Sequence, residues 1–402
     1  MSLIKKEISN RIERFRKKLK KKGLQIALIL SPINIFYFTN TFARGVLIIN
    51  LSEAKLLVNR PFERAKEESL VRCEYFKSLK NLPSYIKVLN SQKNIGIETN
   101  SLNMENYYRY KEILSEWELQ KIDSLIMETR MIKTPYEIDC IKKAGKVIDK
   151  ALKNAISHFR PGMKEIEASV LLEKELRILG HPGITRSLYG FELTCGHLIS
   201  GKEALNPIYA LTAQGGKGVP GFPGGASFKK LKKEDPILLD FSGYFKGYYI
   251  DQTRMASFKI LKSAELFYKT ALKILTTLEK EIKPGIESGE IYEKALLMAK
   301  EEGLENFFMH HGGNTKFIGH GVGLHIDEPP PLALGQKTIL KENMVIALEP
   351  MINERSADIE IGDDGFVFIT KRGGLSAHFE VTVAVTKNGY QLLTNWMNKL
   401  VS

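Results

Sequence analysis

Two aspartates, Asp240 and Asp251, stand in the stretch Pro236 to Phe258, PILLDFSGYFKGYYIDQTRMASF, which reads as two apolar strands around a Gly-Tyr-Phe-Lys-Gly turn. With the turn centred on Phe245 and Lys246, the carboxylates fall directly opposite one another on one face of a hairpin. Like charges so placed repel, and Ile237, Leu238, Leu239, Phe241 and Ile250 leave little water to screen them. A divalent cation would relieve the repulsion, because carboxylates in an apolar frame neutralise, pair or coordinate metal. On the hairpin alone, a proton-sharing acid pair or two unrelated strand-end acids fits equally well.

Three further stretches weigh on that choice. Gly319-His320-Gly321-Val322-Gly323-Leu324 carries a histidine without bulky neighbours, where another group can approach closely. Met344-Val345-Ile346-Ala347-Leu348-Glu349-Pro350 has a buried-strand pattern ending in an acid. In Ser376-Ala377-His378-Phe379-Glu380-Val381-Thr382-Val383, alternation puts His378, Glu380 and Thr382 on the face opposite Phe379, Val381 and Val383.

In this order and these contexts, Asp240, Asp251, His320, Glu349 and Glu380 resemble the five metal ligands of the pita-bread metallopeptidases of family M24, which include methionine aminopeptidase, aminopeptidase P and prolidase. The resemblance implies two divalent ions, bridged by Asp251 and Glu380, with Asp240 on one ion and His320 and Glu349 on the other. Four carboxylates and one imidazole suit Mn²⁺ or Co²⁺, with Zn²⁺ or Fe²⁺ as further candidates. A water held between such ions loses a proton near neutral pH and attacks an amide, so hydrolysis of short peptides of the Xaa-Pro type is the implied activity. By the same resemblance Glu349 shuttles the proton to the leaving nitrogen.

The chain also departs from the aminopeptidase P and prolidase pattern. Asp327 stands where those enzymes carry a second histidine after the metal histidine, and no histidine occupies the place near Pro223 where a further one is usual. His378 replaces an arginine often found two residues before the last glutamate. His197, His325 and His378 are the candidates to replace the missing substrate contacts, while His310 and His311 look like loop residues without a role. A carboxylate at Asp327 favours a cationic group where the peptidases place an imidazole. A hydrolase of a small non-peptide amide is therefore an alternative reading, and a catalytically reduced binding protein is another.

These residues need a scaffold to bring them together. At 402 residues with 43% apolar content, the chain exceeds the size of a single core, and two domains are expected, residues 1–128 and 129–402. The first reads as an α/β domain: a helix over residues 3–22, then strands over Leu24 to Leu30, Gly45 to Asn50, Ala54 to Val58 and Asn94 to Ile97. Its opening resembles the amino-terminal domain of aminopeptidase P, prolidase and creatinase, through the Gly-Leu strand start and the Ser31-Pro32-Ile33-Asn34-Ile35 segment. The second domain starts where Thr134, Pro135 and Glu137 form a capping box. Helices are expected to about His158, from Glu165 to Leu179, from Ser263, and from Gly289 to Glu302, separated by Arg160-Pro161-Gly162-Met163 and Lys283-Pro284-Gly285-Ile286. The two basic-Pro-Gly-apolar breaks point to an internal duplication. An α+β pita-bread catalytic domain is what the resemblance implies. GGKGVPGFPGG, between Gly215 and Gly225, is either an ordinary loop or a lid or wall of the pocket.

Composition bounds the partners. The net charge of +13 invites nucleic acid, but Lys outnumbers Arg, the basic residues interleave with Glu, and no nucleic-acid module is present, so the run Arg16 to Lys22 reads as a solvated helix face. No long uncharged apolar run predicts a membrane span, and the start lacks a secretory pattern. Cys73, Cys140 and Cys195 share no metal-type spacing, and reduced thiols in a cytoplasm are expected, as is a homodimer.

Overall fold

The structure is a computed structural model and describes residues 3–89, 92–206, 208, 214–222, 224–259, 264–310, 315–354, 359–361, 368–370 and 375–394. The chain divides into two compact units, Met1–Arg130 and Met131–Ser402.

In the first unit, strands β1 (Ile26–Ile29), β2 (Arg44–Asn50), β3 (Ala54–Arg60), β4 (Arg72–Tyr75), β5 (Asn94–Ile97) and β6 (Glu118–Lys121) form one sheet in the order β4-β3-β2-β1-β5-β6. β1 sits inside the sheet and is buried at all four residues, as a short apolar run without alternation requires. The helix Leu3–Lys21 buries Ile8, Ile12, Phe15 and Leu19, which recur at helical spacing. The Ser31-Pro32 segment opens a helix, Pro32–Thr39, which ends at Asn40 in the left-handed conformation. Two buried acids lock the loops that leave the ends of β1 and β5. Glu98 accepts hydrogen bonds from Leu30 N at 2.7 Å, Ser31 N at 2.9 Å and Asn34 Nδ2 at 2.6 Å. Asp123 accepts from Asn100 N at 2.7 Å, Thr99 Oγ1 at 2.8 Å and Thr99 N at 3.0 Å.

The second unit opens with the capping box of Thr134 and Glu137 on the helix Pro135–Ile156. The helix Glu165–Ile178 follows. Then come β7 (Ile184–Arg186), β8 (Glu192–Thr194), β9 (Gly196–Ser200), β10 (Ile237–Phe241), β11 (Gly243–Phe245), β12 (Tyr248–Ile250) and β13 (Thr253–Ala256). Two more helices, Glu265–Glu281 and Ser288–Glu301, precede β14 (Val345–Leu348), β15 (Met351–Asn353), β16 (Ile359–Ile361), β17 (Phe368–Thr370), β18 (Ser376–His378), β19 (Val381–Thr386) and β20 (Gly389–Leu392). The expected helix start at Ser263 lies outside the described residues.

The duplication is visible in its hydrogen bonds. Gly162 and Gly285, both left-handed, each donate a backbone N–H to a leucine carbonyl, of Leu231 at 2.8 Å and Leu340 at 2.9 Å. The next residues return the pairing, with Leu231 N donating to Met163 O and Leu340 N to Ile286 O. Each half then lays down antiparallel strands, β13-β10-β9 in the first and β14-β19-β20 in the second. Beneath the second half lies an apolar cluster that includes Ile274, Leu278, Ile346, Leu348, Val381 and Val383.

The hairpin register differs from the expected one. β11 pairs with β12 as Phe245 opposite Tyr248, so the turn centres on Lys246 and Gly247, with φ of 48° and 96°. Two left-handed central residues make the turn whose twist matches the strands, and glycine at the second position is the reason the turn falls there. Asp240 therefore faces Thr253, not Asp251. The slip is two residues, which preserves the alternation, and the two carboxylates remain diagonal neighbours on one face.

Candidate metal centre

Asp240 comes from β10, Asp251 from the end of β12, Glu349 from the end of β14, and Glu380 from the junction between β18 and β19. His320 lies on a loop that glycines bring against its neighbours. Gly321 exchanges backbone hydrogen bonds with Glu328 at 2.6 and 2.7 Å, and a Cβ there would meet Pro329 O at 2.1 Å. A Cβ at Gly323 would meet the Glu328 carboxylate at 2.7 Å. Phe317 stacks on the imidazole, with ring planes within 18° and centroids 6.1 Å apart.

Asp251, His320 and Glu380 each offer a ligand atom within 4.8 Å of the others. His320 Nε2 lies 3.4 Å from Glu349 Oε1 and 3.8 Å from Asp251 Oδ2. Burial holds the Asp251 and Glu380 carboxyls well above the usual carboxylate range, and the neighbouring acids Asp240 and Glu349 push both further. The same burial lowers the pKa of His320, so the imidazole is kept neutral and able to ligate. Glu380 Oε2 accepts from Thr253 Oγ1 at 2.9 Å, while its buried Oε1 has no hydrogen-bond partner among the described residues. Crowded carboxylates, a neutral imidazole and an unsatisfied buried oxygen are the donor set a divalent cation fits.

Two threonines brace the bridging candidates crosswise. Thr382, two residues after Glu380, accepts from Asp251 N at 3.2 Å and donates to Asp251 O at 2.8 Å. Thr253, two residues after Asp251, donates to Glu380, whose own N–H donates to Thr253 O at 3.1 Å. Arg254 Nη1 also donates to Glu380 O. Sequence reasoning gave Thr253 no role, although the shared spacing of acid and hydroxyl was there to be read.

A cavity of about 530 Å³ opens onto these side chains. Its wall includes Tyr189, Phe191, Leu193, Phe222 and Phe317, together with His197 and Asp327. Val219, Phe222, Gly224 and Gly225 of the glycine-rich stretch also line it, while Pro223, the place of the missing histidine, lies outside the described residues. Asp327 is half-buried. Its Oδ2 accepts from Ser187 Oγ at 2.5 Å and its Oδ1 from Leu188 N at 2.6 Å, which fixes the carboxylate in the wall.

The other candidate histidines separate. His197 Nε2 lies 3.3 Å from Asp240 Oδ2. His378 is buried behind Glu349, with Nε2 3.8 Å from Glu349 Oε2 and Nδ1 3.3 Å from Gln214 Oε1. His325 is not among the residues lining the cavity; its backbone N donates to Glu328 Oε1 at 3.0 Å, and Glu328 pairs with the buried Lys133 at 3.4 Å. The carbonyl of His310 accepts from Asn353 Nδ2, and His311 lies outside the described residues.

One buried histidine was missed. His181 accepts from Gly183 N at its Nδ1, so Nε2 carries the proton and donates to Ser242 Oγ at 3.2 Å. Burial lowers its pKa to about 4 and keeps it neutral. Ser242 in turn lies 2.5 Å from Thr185 Oγ1, and both hydroxyls line the cavity. In sequence, His181-Pro182-Gly183 shows only a turn.

The profile of "Metallopeptidase family M24" matches residues 139–387, and that of the creatinase/prolidase N-terminal domain matches residues 11–132. An Xaa-Pro dipeptidase of Pyrococcus furiosus is 29% identical over 399 residues, covering 98% of this chain and 100% of the relative. The prolidase structure from Pyrococcus horikoshii OT3 superposes with a TM-score of 0.77 at 27% identity, covering 98% of this chain and 100% of that one. The Xaa-Pro dipeptidase structure from Bacillus anthracis gives 0.79 at 26% identity, covering 98% and 99%.

Proposed function

Because the chain belongs to metallopeptidase family M24, we propose that it is an Xaa-Pro aminopeptidase or dipeptidase acting on short peptides with two divalent ions. The ligands in this reading are Asp240, Asp251, His320, Glu349 and Glu380, and Mn²⁺ or Co²⁺ suits their oxygen-rich set. The observation that carries it is the convergence of Asp251, His320 and Glu380 within 4.8 Å, beside a cavity able to hold a short peptide. When bound, such ions activate water and polarise a carbonyl.

The protein supplies the rest. Glu349, beside His320 and His378, accepts the proton of the attacking water and returns it to the leaving nitrogen. His378, whose Nδ1 lies 3.3 Å from Gln214 Oε1, stands with its Nε2 3.8 Å from Glu349 Oε2. The aromatic wall suits a proline ring. Asp327 has lone pairs left over after Ser187 and Leu188, so it accepts from a cationic group and cannot donate to an oxyanion. Free Cys73, Cys140 and Cys195 support a reducing cytoplasm. No helix among the described residues is long and apolar enough to cross a membrane. A homodimer completes the proposal and is read by sedimentation.

The test is a panel of Xaa-Pro peptides with Mn²⁺ and Co²⁺, in which Xaa is neutral or carries a positive charge. Hydrolysis is expected, faster on the charged members, and Asp327→His should move preference towards the neutral ones. Failure to cleave any Xaa-Pro bond overturns the proposal. Ordinary rates on neutral peptides that Asp327→His leaves unchanged remove Asp327 from the account of specificity.

A further inference from the structure

His197, Asp240 and Thr253 stand in one row across three strands. β9 pairs with β10 so that His197 faces Asp240, and β10 pairs with β13 so that Asp240 faces Thr253. At one end Thr253 reaches Glu380 at 2.9 Å. At the other, His197 Nε2 approaches Asp240 Oδ2 to 3.3 Å, with both side chains mostly buried at 17% and 18% exposure. The approach lacks the alignment of a hydrogen bond, and His197 Nε2 is a buried nitrogen without a hydrogen-bond partner among the described residues.

That spacing has a second physical meaning. Two atoms bound to one ion at roughly 2.0–2.2 Å stand about 3 Å apart, edge to edge of the coordination polyhedron. His320 Nε2 and Glu349 Oε1, at 3.4 Å, show the same separation across the site. The backbone fixes His197 in this position. A Cβ at Gly225 would come within 2.9 Å of the His197 Cβ, so the glycine-rich stretch closes directly onto the residue. A Cβ at Gly196 would meet Asp240 O at 2.3 Å, so only glycine lets β9 lie this close to β10.

We propose that His197 is a metal ligand, binding through Nε2 the same ion that Asp240 binds. The inference rests on the dinuclear reading and extends it from five protein ligands to six. The ion held by Asp240 then receives a nitrogen donor in place of an all-oxygen set. Imidazole suits later first-row metals, so this ion is held more tightly as Co²⁺ or Zn²⁺ than carboxylates alone would hold it. His197 is thereby drawn to the ion and away from direct substrate contact.

The experiment titrates Co²⁺ into metal-free wild type, His197→Ala and His197→Gln, following calorimetry and the exchangeable, hyperfine-shifted imidazole N–H signals by proton NMR. The wild type should bind two equivalents and show two such signals, from His197 and His320. Each variant should bind one equivalent about 10–100-fold more weakly or lose it, and should show one signal. Thermal unfolding of the metal-free proteins tells whether the variants fold. Loss of affinity with both signals retained in His197→Gln, or a single signal already in the wild type that His197→Ala preserves, overturns the assignment. A wild type that binds one ion overturns the dinuclear reading instead, and His197 then stands or falls by whether His197→Ala removes a shifted signal.

Discussion

Glu98 in the first unit and Glu380 in the second are equally buried, at 3% and 2% exposure, yet the fold treats their carboxylates oppositely. Glu98 engages both oxygens with two backbone N–H groups and an asparagine amide. Glu380 has one donor on Oε2, none among the described residues on Oε1, and three other carboxylates close enough to raise its pKa. An acid that the fold uses for itself is closed off by donors. An acid kept for a ligand is left short of them and crowded by its own kind, an arrangement that costs stability until a cation arrives.

The contrast is sharpest at Asp251, which shares the crowding. Asp251→Ala should reduce peptide hydrolysis to background and lower the bound metal, measured by elemental analysis beside a peptide assay. Full metal content in that variant would break the comparison. Thr253→Val, which keeps the shape and removes the donor to Glu380, should weaken metal binding about 10–100-fold, as losing a partner that orients a ligand does. Calorimetry with Mn²⁺ reads it, and unchanged affinity would mean that the brace is only structural. Glu98→Gln should leave kcat/KM of the metal-loaded protein within about twofold while costing about 1–3 kcal/mol of stability, because with its carbonyl kept on the two backbone donors the new amide donor faces the Asn34 amide donor. Loss of activity without loss of stability would show that the two settings are not distinct in kind.

The five candidate ligands were legible as a set only through the family resemblance, since each stretch by itself shows no more than an acid in or beside an apolar strand or a histidine between glycines. The capping box at Thr134 and the paired Pro-Gly breaks were legible on their own, as short-range chemistry. The hairpin register was misplaced because Lys246 adopts a left-handed turn that lysine seldom enters, and the glycine beside it was the available signal. The setting of Asp327 was beyond local reading. Its partners Ser187 and Leu188 lie far back in the chain, and only the folded wall brings them together. His181 follows the same rule, since its partner Ser242 lies 61 positions on in the chain.

The crosswise threonines tie the two halves of the second unit to each other. Thr382 holds Asp251 from 131 positions away and Thr253 holds Glu380 from 127, so each half supplies the contact that the other half's acid needs. Subunits of a symmetric pair exchange contacts in this way, and here one covalent chain replaces their association. A ribosome that has released the chain only as far as Asp251 has therefore made an aspartate whose backbone lacks its brace. The candidate ligands of the two halves can meet only after the chain has been made past Glu380 and the loop joining the halves has closed.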